Sequence, residues 1–250
     1  MPAACYTFLM RSILPLGFYA VLGFLVAAPP SPPQSAPSSP PHTPTEFPLL
    51  RQFEDKYRHA TRLQANFLER YSENGRLIRT EAGRAYFLHP GKMRWDYESP
   101  EKNIFLVDGK YAWFYSPADH IATRIPTKKS EDWRTPLAFL TSDMKLARIC
   151  SQIDAAHTLP AGQPDNSVFR CLLRGSPDEA TLPRHLLFEV SLQGDLSRIV
   201  IPQEGGIELE FSFKDWQWNP PLSKDWFLFT PPAGVVIVDG LLPSSPTARQ

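Results

Sequence analysis

The stretch IELEFSFK, residues 207–214, decides the fold class. Ile207, Leu209, Phe211 and Phe213 alternate with Glu208, Glu210, Ser212 and Lys214. A period of two sends the apolar four to one side of a β-strand and the polar four to the other. Such a strand belongs to an antiparallel sheet with one dry face and one wet face. The same alternation recurs upstream. Met93, Trp95 and Tyr97 interleave with Arg94, Asp96 and Glu98. Leu186, Phe188 and Val190 oppose His185, Glu189 and Ser191, with Leu187 as the exception. Asp96, Glu98 and Glu189 therefore read as wet-face residues.

Working outward, turn dipeptides divide the chain into short strands. Gly205-Gly206 precedes 207–214, and Gly194-Asp195 separates the runs 184–192 and 196–202. Asp108-Gly109 lies between 103–107 and 110–116, and Asn74-Gly75 between 63–72 and 76–88. These pairs tolerate the positive φ of tight hairpins, so the runs form an antiparallel meander. Two segments read as helical. From about Glu46 to Ala60, Leu50, Phe53, Tyr57 and Ala60 make one apolar stripe, with Thr45 as the expected cap and Pro48 in the first turn. The second is short, with Thr135 as cap, Pro136 first, then Leu137, Ala138, Phe139 and Leu140. It is apolar all round and must be covered.

About eleven strands and two apolar helices predict a mainly β protein. One sheet face must be hidden with little helix to hide it, which favours a curved, unclosed antiparallel β-barrel with a short α-helical lid over its concave side. The interior is packed core or apolar cavity. Met93, Trp95, Tyr97, Leu186, Phe188, Val190, Leu209, Phe211 and Phe213 are expected on that concave side.

The ends of the chain read differently. Residues 1–28 carry Arg11 and then the apolar run from Ile13 to Ala28, with small residues at Val26 and Ala28, as in an export signal. An uncleaved anchor is the alternative. Residues 29–45 are a Pro-rich tether, part of a 29–48 stretch with nine of the 27 prolines. The folded domain is expected over 46–240, followed by a loose tail over 241–250. Of the three cysteines, Cys5 lies in the signal. Cys150 and Cys171 fall in runs, 144–153 and 168–174, that a hairpin would bring together, and export permits a disulfide between them. Two free buried thiols are the other reading.

Several functions find no support. The formal net charge is zero, without the basic excess of a nucleic-acid binder. The aromatic clusters Trp113–Tyr115 and Trp216–Trp218 therefore read as core or cavity lining rather than base-stacking platforms. The six histidines show no HExxH spacing, and there is no CxxC, no GxSxG elbow and no phosphate-binding glycine loop. No catalytic residue, metal or cofactor is expected, and a binding protein is favoured over an enzyme.

Four blocks then become specific: KMRWDY at 92–97 after a Pro-Gly turn, LVDGKYAWFYSP at 106–117, TPLAFL at 135–140 and FLFTPPAGV at 227–235. In that order and spacing they resemble the periplasmic outer-membrane lipoprotein carrier family (LolA-like), over roughly residues 46–238. The resemblance implies an eleven-stranded unclosed barrel with a helical lid. It implies a monomeric periplasmic chaperone that receives acylated lipoproteins from an inner-membrane ABC transporter complex and delivers them to an outer-membrane acceptor. Phe67, Phe87, Trp113, Leu137, Phe139 and Leu140 join the nine concave residues as expected lipid contacts. Family members often carry a basic residue before the proline of the strand-three turn, where this chain has His89 before Pro90. A carrier of another lipid on the same fold and a lipid- or lipoprotein-sensing regulator are the competing readings. Buried acyl carbon is stabilised by about 0.8 kcal/mol per CH₂. A sixteen-carbon chain therefore needs roughly 12 kcal/mol of shielding, which only a continuous apolar surface supplies.

Overall fold

A computed structural model describes residues 47–129, 140, 145–156, 162–174 and 185–240, all within the compact unit Pro40–Gln250. The expected signal, tether and tail lie outside the described residues, as does most of the second helical segment. Helix α1 spans Pro48–Arg58. Strands follow at β1 Arg62–Glu73, β2 Arg76–Leu88, β3 Lys92–Ser99, β4 Ile104–Val107, β5 Tyr111–Ser116 and β6 Ile121–Pro126. A single helical turn, α2 Leu146–Ile149, leads into β7 Cys150–Ala155. Strands β8 Ser167–Leu173, β9 His185–Val190, β10 Leu196–Pro202, β11 Ile207–Trp218 and β12 Val236–Asp239 complete the order.

The strands form one sheet in the order β12-β6-β5-β4-β3-β2-β1-β11-β10-β9-β8-β7. Its two ends do not pair, so the barrel is unclosed. All four hairpins anticipated from turn dipeptides are present, with Asn74 and Gly75 both at positive φ in the tight β1–β2 turn. Twelve strands replace the expected eleven. The extra one, β12, pairs with β6 in parallel, Val236 against Ile121. It is three consecutive apolar residues followed by Asp239, with no alternation, so no period marks it.

Helix α1 starts two residues later than expected. Phe47 takes the cap position without a side-chain cap bond, and Pro48 opens the first turn. Its stripe of Leu50, Phe53 and Tyr57 is buried, at 1% exposure or less. These side chains join one core cluster with residues from every strand except β6 and β12. A flat sheet of twelve strands would be about 50 Å wide, whereas an eleven-residue helix is about 16 Å long. One helix cannot keep such a width dry, so the sheet curls around α1.

Small residues make room at the centre of the inner face. Ala65 on β1 faces Ala85 on β2, and Phe67 faces Gly83. A Cβ on Gly83 would sit 2.0 Å from the Asp96 carbonyl oxygen and 3.0 Å from the Phe67 ring. Only glycine lets β3 pass this close while Phe67 lies across the strand.

Candidate binding face

The inner face is an aromatic surface. Trp95 is fully buried at its centre, with ring centroids 4.6 Å from Phe67, 6.3 Å from Phe87, 5.6 Å from Phe211 and 5.9 Å from Phe213. Three strand steps, about 14 Å, separate β3 from β11. The rings meet by leaning toward one another over Ala65 and Ala85. Met93 and Tyr97 flank Trp95 along β3, and Leu209 lies beside Phe211 and Phe213 on β11. Leu186, Phe188 and Val190 extend the surface on β9, where Phe188 stacks 5.4 Å from Phe169 of β8. Leu140 is buried in the same cluster, while Leu137 and Phe139 lie outside the described residues. Cys150 and Cys171, also in this cluster, are joined as a disulfide with Cα atoms 5.4 Å apart.

Trp113 is the correction. It belongs to the outer face, in a separate cluster with Leu106 and Ala122. Its neighbour Phe114 turns inward. The register shows why: Tyr86, Arg94, Leu106, Trp113 and Arg124 form one cross-strand row on the outer side. The segment after β11 runs along that row as a strap. Trp226 lies 4.4 Å under the Arg94 guanidinium, and Phe229 packs 4.9 Å from Trp113. The strap ends at β12, where Asp239 accepts from Arg124 Nε at 2.5 Å.

The wet face is also drier in places than alternation suggests. Glu189 points outward as expected but is only 2% exposed. It accepts from the backbone N–H of Gly162 at 2.7 Å and of Gln163 at 3.1 Å, from Asn166 Nδ2 at 2.7 Å and from Arg198 Nε at 2.8 Å. Burial pushes its pKa up, but these donors outweigh it and hold the carboxyl below its ordinary value. Asp96 shows the opposite balance: burial raises its pKa despite the Arg94 bond at 2.7 Å. His89 is exposed, its backbone N–H bonded to Thr61 O at 2.9 Å.

Two acidic residues that the sequence reading passed over lie on the inner side. Glu69 and Glu81 face each other in register and are each 4% exposed. The Tyr97 hydroxyl donates to Glu69 at 2.8 Å, and Arg79 pairs with Glu81 at 2.9 Å. The signal was legible: Glu69 continues the inward series Ala65, Phe67, and Glu81 precedes Gly83, Ala85 and Phe87. Among the described residues no group of three or more His, Cys, Asp or Glu could hold a metal.

Helix α1 closes over this face. The Leu196 N–H donates to the Tyr57 hydroxyl at 3.0 Å; burial outweighs the lowering effect of that bond and raises the phenol pKa far above its ordinary value. Lys56 pairs with Asp195, donates to Gln193 O at 3.2 Å and sits 4.7 Å over the Trp218 ring.

The family model of the outer membrane lipoprotein carrier protein LolA matches residues 58–230, more than half of the chain. The chain belongs to this family. An outer-membrane lipoprotein carrier protein of Xanthomonas campestris is 26% identical over 200 residues, covering 78% of this chain and 90% of its own. Its counterpart in Nitrosospira multiformis is 28% identical over 185 residues, covering 72% and 83%. Among solved structures, a LolA superfamily protein of Nitrosomonas europaea aligns with 12% identity and a TM-score of 0.42, covering 75% of this chain and 98% of that one. LolA is a family of carriers.

Proposed function

We propose that this LolA-family protein is a periplasmic chaperone that holds lipoprotein acyl chains against its inner face. It would take them from an inner-membrane ABC transporter complex and pass them to an outer-membrane acceptor. A leader over 1–28 and a tether over 29–45 would place the domain in the periplasm. The observation that carries this reading is the inner face itself, a single cluster of buried apolar side chains drawn from ten strands and covered by α1. A cargo of roughly 12 kcal/mol per sixteen-carbon chain needs that extent of shielding. Phe67, Phe87, Trp95, Phe114, Phe211 and Phe213 would form the contact surface, with Met93, Tyr97, Leu140, Leu186, Phe188, Val190 and Leu209 around it. The role requires no catalytic group.

Mass spectrometry of what co-purifies with the protein from the periplasm tests the reading. Acylated lipoprotein is the expected companion. Free phospholipid alone would replace this cargo with another lipid, and recovery of no lipid or lipoprotein would overturn the carrier role.

A further inference from the structure

Polar side chains interrupt the inner face at one end. Glu69 follows Phe67 by two residues on β1, and Glu81 precedes Gly83 by two on β2, so both point to the inner side. The Tyr97 ring passes over Gly83, where no side chain blocks it, to reach Glu69, and lies 5.1 Å from the Phe67 ring. Asn103 is the fourth member. Its carbonyl takes the Tyr97 N–H at 2.9 Å, which extends the β3–β4 ladder one pair beyond Asp96 and Ile104. Opposite Tyr97, and two residues before inward Phe105, the Asn103 side chain lies on the same side as both.

Asn103 is 3% exposed, and its Oδ1 is buried with no hydrogen-bond partner among the described residues. A buried acceptor left unmet is costly, and an apolar residue at 103 would carry no such cost. Packing of the sheet therefore gives no reason for an asparagine here, whereas a ligand that supplies the missing donor does.

The surroundings select the ligand. Acyl chains and their esters bring no donor. A phospholipid places a phosphate beside its glycerol, and here that anion meets two carboxylates against the single guanidinium of Arg79. A peptide amide brings an N–H for Oδ1 and a carbonyl for the other end of the Asn103 side chain. We propose that Asn103, with Tyr97, Glu69 and Glu81 around it, is a subsite for the peptide amides next to an acylated residue. It makes the inner face select acylated peptide over phospholipid. The inference rests on the carrier reading for its cargo. Acyl chains anchored there run on from Glu69 past Phe67, Ala65 and Leu63, about 20 Å of inward-facing β1.

Equilibrium binding of two probes by the intact protein tests the subsite. One is a dansyl-labelled diacylated lipopeptide. The other is phosphatidylethanolamine with the same label and acyl chains, which also carries N–H donors but behind a phosphate. The parent should bind the lipopeptide at least fivefold more tightly. Asn103→Leu should weaken the lipopeptide at least fivefold and phosphatidylethanolamine less than twofold, while the urea midpoint stays at or above the parent's, since Oδ1 loses no bond. Asn103→Ala removes the amide without adding bulk and should give the same split. A parent that binds the two probes alike or prefers the phospholipid overturns the proposal. So does weakening of both probes equally, or of neither. Loss of cooperative unfolding in both variants makes Asn103 a structural residue and overturns it too. All these outcomes leave the carrier reading standing if the parent binds the lipopeptide. A parent that binds neither probe overturns the carrier reading and the subsite with it.

Discussion

Trp113 and Phe114 show what a single residue's orientation decides. The run YAWFYS at 111–116 is apolar or aromatic nearly throughout, so no period of two tells which ring faces inward. Pairing decides it, because Leu106 opposite Trp113 belongs to the outer row. Where alternation was clean, as at Met93, Trp95 and Tyr97 or at Leu209, Phe211 and Phe213, the inner face was legible from sequence alone. The two substitutions should therefore separate. Phe114→Ala removes a ring from the inner face and should lower stability by about 3–5 kcal/mol in urea unfolding. It should also reduce retention of a diacylated lipopeptide several-fold. Trp113→Ala should cost stability through the strap while retention changes less than twofold. Equal loss of retention in both would place the ligand on the wrong face.

At the scale of elements, local patterns showed that strands and α1 exist, but not what lies on them. Glu189 sits at an outward position, and nothing near it in sequence reveals that residues 162–166 fold back to cover it. Gly162 and Glu189 are 27 residues apart. A greater distance, 139 residues, hid the fastening of Lys56 to Asp195. The Glu189 carboxylate clamps that segment through three donors, Gly162, Gln163 and Asn166, and its pKa is lower folded than unfolded. A depressed carboxylate contributes stability that is present above its unfolded pKa, about 4.3, and is lost as pH falls through the folded value. Protection of the Gly162 and Gln163 amides should therefore hold steady near neutral pH and collapse only in acid below the ordinary carboxylate range. Glu189→Gln should weaken protection at neutral pH and flatten its pH dependence. An unchanged acid profile in that variant would assign the clamp elsewhere.

The whole molecule was legible as an unclosed sheet hiding one face, because hairpins and alternation are local signals. What stayed hidden was the closing of distant parts. The strand β12 pairs with β6 across 115 residues, and β1 sits between β2 and β11 at the centre of the sheet. Phe67 of β1 stands opposite Phe213 of β11. That placement has a consequence for the order in which the chain becomes a protein. The ribosome delivers β1 early and its second neighbour almost last, so β1 to β6 must wait with one edge open and their aromatic side uncovered. Long-range pairings of this kind are reached slowly and leave the waiting species prone to aggregation. A chain ending at residue 206 should therefore fail to reach a cooperative fold, showing bound hydrophobic dye and no sharp urea transition. Adding residues 207–250 in trans as a peptide should rescue it in part. Synthesis of this protein is thus an assembly whose central joint is made at the end, and whatever guards the nascent chain must do so until that moment.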